Sequence, residues 1–311
     1  MVQKNCVVKP KVIAIVGPTA SGKTAVGVRL AKLLGGEIIS ADSMQIYRHM
    51  DIGTAKVTKE EMQGVVHHLI DIVDPTENYS VAMWVKEARQ KILDITSRGK
   101  TPIIVGGTGL YVTSLLKGWT FHSVPEDKAL REYYHNLYNE KGIEPLKEEI
   151  ESKDPELAHK LDFNKVKAII RALEILNSKD SAILDRKESD EEYDYLLIGL
   201  SVDREFLYEK INARVDKMMN DGLIDEFKNL VNVHGLTKDC QSAGAIGYRE
   251  LFPFVEGTET LERTIELLKQ HSRNYAKRQL TWMKKMDKII WLSPQDEEIF
   301  KRAKEFVGGQ K

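Results

Sequence analysis

The stretch that most limits what this chain can fold into is VIAIVGPTASGKT, residues 12–24. VIAIV is a continuous apolar run rich in β-branched residues, as expected of a parallel strand covered on both faces. It leads directly into G-x-x-x-x-G-K-[ST], with Gly17, Gly22, Lys23 and Thr24 at the defining positions and Pro18, Thr19, Ala20 and Ser21 between them. The following TAVGVRLAKLLGG has apolar residues at helical spacing and stops at a glycine pair. Such glycines let backbone N–H groups curl around phosphate oxygens at a helix N-terminus, where the helix dipole also favours negative charge. Lys23 adds a point charge, and the Thr24 hydroxyl can ligate magnesium. A chance glycine-rich turn would require neither the strand before nor the helix after. The segment reads as a phosphate-binding loop, and which phosphate it holds is left open.

Further short strands are expected at EIIS (37–40), TPIIVGG (101–107), LLIGLSV (196–202) and KIIWLS (288–293), alternating with helical stretches. This alternation predicts an α/β fold: a P-loop NTPase-like parallel sheet flanked by helices, with right-handed crossovers. Between about 119 and 194 the strand runs vanish, and helical patterns such as DKALREYYHNLYNE and NKVKAIIRALEIL take over. We expect a mostly helical insertion domain at 119–194, with 1–118 and 195–311 forming the catalytic core. Helices dominate after 203, and a long one is expected across 259–286. No internal repeat or low-complexity segment is evident.

The chain has 311 residues and a formal net charge of −1, so any nucleic-acid contact must come from a local concentration of Lys and Arg. Hydrophobic residues at 42% beside 30% charged residues place it far from disordered compositions. Cys6 and Cys240 offer no CxxC and no disulfide framework, which fits a reduced, cytoplasmic compartment. The early apolar run KVIAIVG is too short to span a bilayer and lacks a signal-peptide cleavage site, so no membrane association is expected.

Three other segments bear on chemistry. SADSMQIYR (40–48) begins at the carboxyl end of the second strand, and ligands of open α/β sheets sit at such ends. Asp42 there suits a general base, a magnesium ligand or merely a cap, and position alone does not choose. GGTGLY (106–111) ends another strand; Gly106, Gly107 and Gly109 permit close backbone approach, and Thr108 offers a hydroxyl to an anion or leaving oxygen. Alone it would read as a capped turn, but three such turns at one sheet edge suggest a site. In the final long helix, LLKQHSRNYAKRQLTWMKK (267–285) contains six Lys or Arg and no acidic residue. Lys269, Arg273, Lys277 and Lys284 share one face, whereas Leu268, Tyr275 and Trp282 recur at heptad spacing on another. A one-sign block in a neutral protein suits a polyanion, and Lys167 with Arg171 repeats the theme at i, i+4. The adjacent His67 and His68 cannot easily face one metal. Asp203 ends an apolar run as a Walker B aspartate does, yet the segment it opens, DREFLYEKINARVDKMM, looks like a capped helix start.

The default reading of such a loop is a nucleotide or small-molecule kinase; the rivals are a transferase with a diphosphate leaving group and an NTP-driven switch. A switch needs a γ-phosphate sensor and a convincing Walker B, and neither is found. A kinase brings an arginine-dense short lid, and the 119–194 stretch is neither short nor arginine-dense. Seven motifs in order then resemble the tRNA dimethylallyltransferases: GPTASGKT, SADSMQIYR, HHLIDIVDP with YSV (79–81), GGTGLY, NKVKAIIRALE (164–174), AIGYRE (245–250) and YAKRQLTW (275–282). The resemblance runs from about residue 11 to about 293. The adenylate isopentenyltransferases share the loop and the early Asp, but YAKRQLTW and the insertion favour the tRNA family.

The resemblance implies transfer of a dimethylallyl group from dimethylallyl diphosphate to the exocyclic amine of the adenine just 3′ of the anticodon, in tRNAs reading codons that begin with U. The loop, residues 17–24, would then hold a diphosphate with magnesium at Thr24, and Lys23 would help stabilise the departing charge. Asp42 would take the proton of the amine, and Thr108 would touch the bridging oxygen or the amine. Arg214 and Arg273 are further candidates for the diphosphate. The resemblance assigns contacts with the tRNA anticodon stem-loop to Asp42, Ser43, Met44, Gln45, Thr108 and Arg131. It adds Lys167, Ala168, Ile169, Ile170 and Arg171, then Ala245, Ile246, Gly247, Tyr248, Arg249 and Glu250, and lastly Lys277 and Arg278. Eukaryotic members carry a C-terminal zinc finger; no Cys/His cluster is found here, so the chain looks bacterial in type, without a structural metal. It is expected to act as a monomer.

Overall fold

The computed structural model describes residues 9–119, 127–178 and 192–309. Its centre is a six-stranded sheet, and every adjacent pair of strands is parallel. In chain order the strands are β1 (Lys11–Val16), β2 (Glu37–Ser40), β3 (His67–His68), β4 (Pro102–Gly106), β5 (Asp194–Leu200) and β6 (Ile290–Leu292). Their spatial order is β3-β2-β4-β1-β5-β6. The sequence reading anticipates five of them. β3 is too short to show as an apolar run and is made of the two adjacent histidines. His68 Nε2 lies 2.7 Å from Glu37 Oε2, and His67 Nδ1 lies 2.9 Å from the Val65 carbonyl, so both rings serve the sheet edge.

β1 is fully buried from Val12 to Val16 because it has strands on both sides and side chains packed on both faces. One set of alternate positions, including Ile13, Ile15, Ile38, Ile103 and Val105, packs with α1 (Lys23–Leu34), whose Val26, Val28 and Leu30 turn toward the sheet. α2 (Lys59–Met62) is a single turn closed by a Thr58–Glu61 capping box. α3 (Val81–Ser97) and α4 (Gly109–Leu116) bury Trp84, Ile92, Val112 and Leu115, with α3 against β2 and β4. Trp84 Nε1 donates to the Ser40 carbonyl at 2.9 Å and so anchors the end of β2.

The chain separates into two compact units, residues 1–118 with 190–311 and residues 119–189. The described part of the second consists of α5 (Lys128–Lys141), α6 (Glu144–Lys153), α7 (Pro155–Lys160) and α8 (Val166–Leu176). These close on a core of their own around Tyr134, Leu146, Ile150, Ile169, Ile170 and Leu173. Residues 120–126 and 179–191 of the expected insertion, and Cys6, lie outside the described residues.

Beyond β5 come α9 (Arg204–Asn220), α10 (Leu223–Asn232), a 3-10 turn (Gln241–Gly244), α11 (Leu251–Val255), α12 (Leu261–Met283) and α13 (Glu298–Gly308). Asp203 caps α9 by accepting the Glu205 and Phe206 N–H groups, as its position suggests. α12 is the long helix expected across 259–286, begun by the Thr260 cap. Among the described residues no helix is long and apolar enough to cross a membrane.

Candidate active site

Strand order decides which loops meet. β2, β4 and β1 are consecutive in the sheet, with Ser40 beside Val105 and Val16 beside Gly106, so their carboxyl ends lie side by side. The three loops leaving those ends are 41–48, 106–109 and 17–22, the segments singled out from sequence. A crevice at the carboxyl ends of neighbouring parallel strands is where ligands of such sheets bind.

The first loop is shaped for an anion. Ala20 and Gly22 have left-handed backbones, with φ of 63° and 87°, and the first helical bond of α1 runs from Val26 N–H to the Gly22 carbonyl. The N–H groups of Lys23, Thr24 and Ala25 therefore have no helical acceptor, the usual state of a helix N-terminus. Lys23 Nζ donates to the Pro18 carbonyl at 2.6 Å, and Arg214 of α9 reaches in to Thr19 Oγ1 at 2.9 Å. Burial and the neighbouring Arg214 pull the Lys23 ammonium down to about 7, with Asp42 opposing. Lys23 and Arg214 are both half-buried and have no directly bonded carboxylate among the described residues, so the site is short of negative charge. The Ser21 hydroxyl is also buried there with no partner.

Asp42 sits half-buried at the end of β2. Its Oδ1 accepts the Met44 N–H at 2.9 Å and the Gln45 N–H at 3.4 Å, which fixes the carboxylate in an Asx-type turn. Among the described residues no donor reaches Oδ2. The turn therefore uses one oxygen of the carboxylate and leaves the other without a donor among the described residues. Thr108 Oγ1 accepts the Ser43 N–H at 3.0 Å, and its own N–H donates to the Ala41 carbonyl at 3.0 Å, so Thr108 is tied beside Asp42. Burial raises the Tyr275 phenol to about 12, and Asp42 adds to the rise.

Gln279 is the residue that sequence reasoning missed. It is buried on α12, where Oε1 accepts the Thr19 N–H at 2.8 Å and Nε2 donates to the Gly107 carbonyl at 3.0 Å. The available signal was a carboxamide in the helical stripe of Leu268, Ala276 and Met283, all of which are buried. Polar groups at such positions are satisfied by something specific.

Known proteins share this architecture. A family model described as "IPP transferase" matches residues 45–286, and one described as "Isopentenyl transferase" matches residues 10–76. The chain is 47% identical over 305 residues to proteins named tRNA dimethylallyltransferase from Bacillus cereus and Bacillus anthracis, covering 97% of this chain and 96% of each relative. The chain belongs to the tRNA dimethylallyltransferase family. A full-length tRNA isopentenylpyrophosphate transferase of Bacillus halodurans superposes with a TM-score of 0.72 at 44% identity, covering 97% of this chain and 96% of that one. A eukaryotic dimethylallyltransferase acting on tRNA superposes with a TM-score of 0.81 at 30% identity, covering 97% and 80%.

Not every residue that the resemblance to the tRNA dimethylallyltransferases assigned to RNA is placed to touch one. Ile169 and Ile170 are buried in the core of the second unit; Lys167 and Ala168 are the exposed members of that run. Arg131 and Arg171 both bond to the buried Glu174 carboxylate. Burial works against that charge, but Arg171, the Asp127 N–H and Arg131 hold the carboxyl below its ordinary range. Ala245, Gly247, Tyr248 and Glu250 are buried as well, leaving Ile246 half-buried and Arg249 exposed. Tyr248 donates to Glu226 at 2.6 Å, and Glu226 also accepts the N–H groups of Asp51, Ile52 and Gly53. AIGYRE therefore braces the loop that comes after Asp42–Gln45, whose four residues remain partly accessible.

The basic helix also divides. Lys269 pairs with Asp216 and Arg273 donates to Asn212, both on α9, so the N-terminal half of the basic face docks α12. Among the described residues Arg273 makes no hydrogen bond to the 17–24 loop, whereas Arg214 bonds Thr19. Lys277, Arg278 and Lys285 form no ion pair among the described residues, and with Thr113 and Trp282 they line a surface groove. Trp282 is 43% exposed instead of packing in the core, because it lies over Gly109 and donates to Thr113 at 3.2 Å.

Proposed function

We propose that the protein transfers a dimethylallyl group from dimethylallyl diphosphate to the exocyclic amine of an adenine in tRNA, releasing diphosphate. The adenine is the one 3′-adjacent to the anticodon in tRNAs that read codons beginning with U, and the reaction takes place in the cytoplasm. The carrying observation is the meeting of a charge-deficient loop at 17–24 with a carboxylate, Asp42, that keeps one oxygen unpaired. Family membership supports the chemistry. Relatives named tRNA dimethylallyltransferase, 47% identical over 97% of this chain, favour tRNA over free adenylate as the acceptor.

In the reaction the allylic C–O bond breaks and its electron pair leaves with the diphosphate. The exposed N–H groups of Lys23, Thr24 and Ala25, with Lys23 and Arg214, meet the charge that develops. The adenine nitrogen forms the new N–C bond and gives its proton to Asp42 Oδ2. Thr108, held by Ser43, stands beside that carboxylate and keeps the amine or the bridging oxygen aligned. An adenine reaches such a crevice only when turned out of its stack. The residues fit a magnesium ion kept largely by phosphate and water: Thr24 supplies one exposed hydroxyl at the helix N-terminus, and Asp42 lies in electrostatic reach of the loop. Thr24 would hold the ion, which would neutralise diphosphate charge.

The test is incubation with tRNA and labelled dimethylallyl diphosphate, with AMP and ATP offered in parallel. Label is expected on tRNA. Label on AMP would replace this reading with adenylate prenylation, and phosphate release from ATP would replace it with a kinase.

A further inference from the structure

The two loops that must cooperate in the transfer come from different strands, and one side chain joins them. Gln279 Oε1 takes the Thr19 N–H of the phosphate loop, and its Nε2 gives a hydrogen to the Gly107 carbonyl of the second loop. The neighbours fix the amide orientation, since a backbone N–H demands oxygen and a carbonyl demands nitrogen. Gly107 has no side chain because a Cβ there would overlap the Gln279 amide nitrogen. From Gly107 the connection is short: Thr108 comes next, accepts the Ser43 N–H, and Ser43 adjoins Asp42. A continuous set of bonds therefore runs from the loop for the leaving group to the carboxylate for the amine.

We propose that Gln279 is a positioning residue for the transfer, a carboxamide strut that sets the spacing between the phosphate loop and the Asp42–Thr108 pair. The inference rests on the prenyl-transfer reading above. Only a group that donates and accepts at once from one plane serves both loops. Alignment of reacting atoms is steep in its effect, since a misplacement of about 1 Å costs roughly a hundredfold in rate. Gln279 is buried on α12, and its two bonds to backbone atoms hold it in one orientation.

Gln279→Met keeps the volume and removes both bonds. At saturating substrates its kcat should fall about a hundredfold, while KM for tRNA stays within about twofold and circular dichroism remains that of the parent. Gln279→Glu gives a second readout independent of that variant's folding. As a carboxylate it has nothing to donate to Gly107; as a protonated acid it restores the donor, and burial favours the protonated form. The ratio of its kcat to the parent's should climb as pH falls from about 8 to about 6, by up to tenfold per unit. A Met variant with kcat within twofold of the parent, or a Glu variant whose ratio ignores pH, overturns the strut. Failure of the parent itself to label tRNA would instead remove the prenyl-transfer reading, so the two failures are separable.

Discussion

Lys23 occupies an unusual electrostatic position for a lysine: burial and Arg214 hold its ammonium near 7 while no carboxylate bonds to it. An incoming diphosphate reverses this, because an anion against the amine favours the charged form and raises its pKa. Below about 7 the amine is charged in both free and bound protein, and affinity does not depend on it. Above 7 the free protein must take up a proton on binding, so affinity should fall by as much as tenfold per pH unit until the bound pKa is reached. Titration calorimetry with inorganic diphosphate across that window checks it. Lys23→Arg, charged throughout, is the reference that removes the ligand's own ionisation. At Asp42, replacement by Ala should lower kcat by about two to four orders of magnitude, the scale of a positioned base. Partial retention of tRNA binding is expected in filter assays, and undiminished turnover would take Asp42 out of the reaction. Its residue type and strand-end position were legible in the sequence. That one oxygen caps while the other is unpartnered was not, because it depends on how the backbone turns at Met44 and Gln45.

α12 shows how one element serves two purposes. Its first basic residues, Lys269 and Arg273, fasten it to α9, and its later ones, Lys277, Arg278 and Lys285, face outward beside Trp282. Sequence periodicity groups Lys269, Arg273, Lys277 and Lys284 on one face. It could not divide them, since the acceptors Asp216 and Asn212 are more than fifty positions away in the chain. Neutralising Lys277 and Arg278 together should weaken tRNA binding. It should also reduce the slope of log K against log salt by roughly 0.7–0.9 for each phosphate that is no longer neutralised. Lys269→Gln should leave that slope unchanged. Equal slopes for all three proteins would make the outer half of the helix structural as well.

Taken as a whole molecule, the described residues include a core on the sheet, a smaller cluster joining α9 to α12, and a separate core inside the helical unit. Ile169 is completely buried in the last of these. Ile169→Ala should cost about 2–5 kcal/mol of stability, the range for truncating a buried isoleucine. The drop in amide protection should be concentrated in residues 127–178, with hydrogen exchange as the measurement. A substitution that left protection intact there and only weakened tRNA affinity would restore Ile169 to the RNA-contacting set. NKVKAIIRALE resembles an RNA-contacting motif because its exposed and buried residues interleave along one helix, and a motif match does not separate them. AIGYRE behaves likewise: Tyr248 bonds Glu226, and Glu250 accepts the Gly247 N–H and bonds His271.

Local patterns in the chain were enough for the phosphate loop, the parallel α/β sheet and the family, because each depends on short-range features: a glycine-spaced loop between strand and helix, and apolar runs at fixed periods. Folding in three dimensions chose which loops become neighbours, which cations are used in packing, and that Gln279 joins Thr19 to Gly107. Those facts rest on contacts between residues far apart in the chain. Strand order and helix docking create them, and no local pattern encodes either.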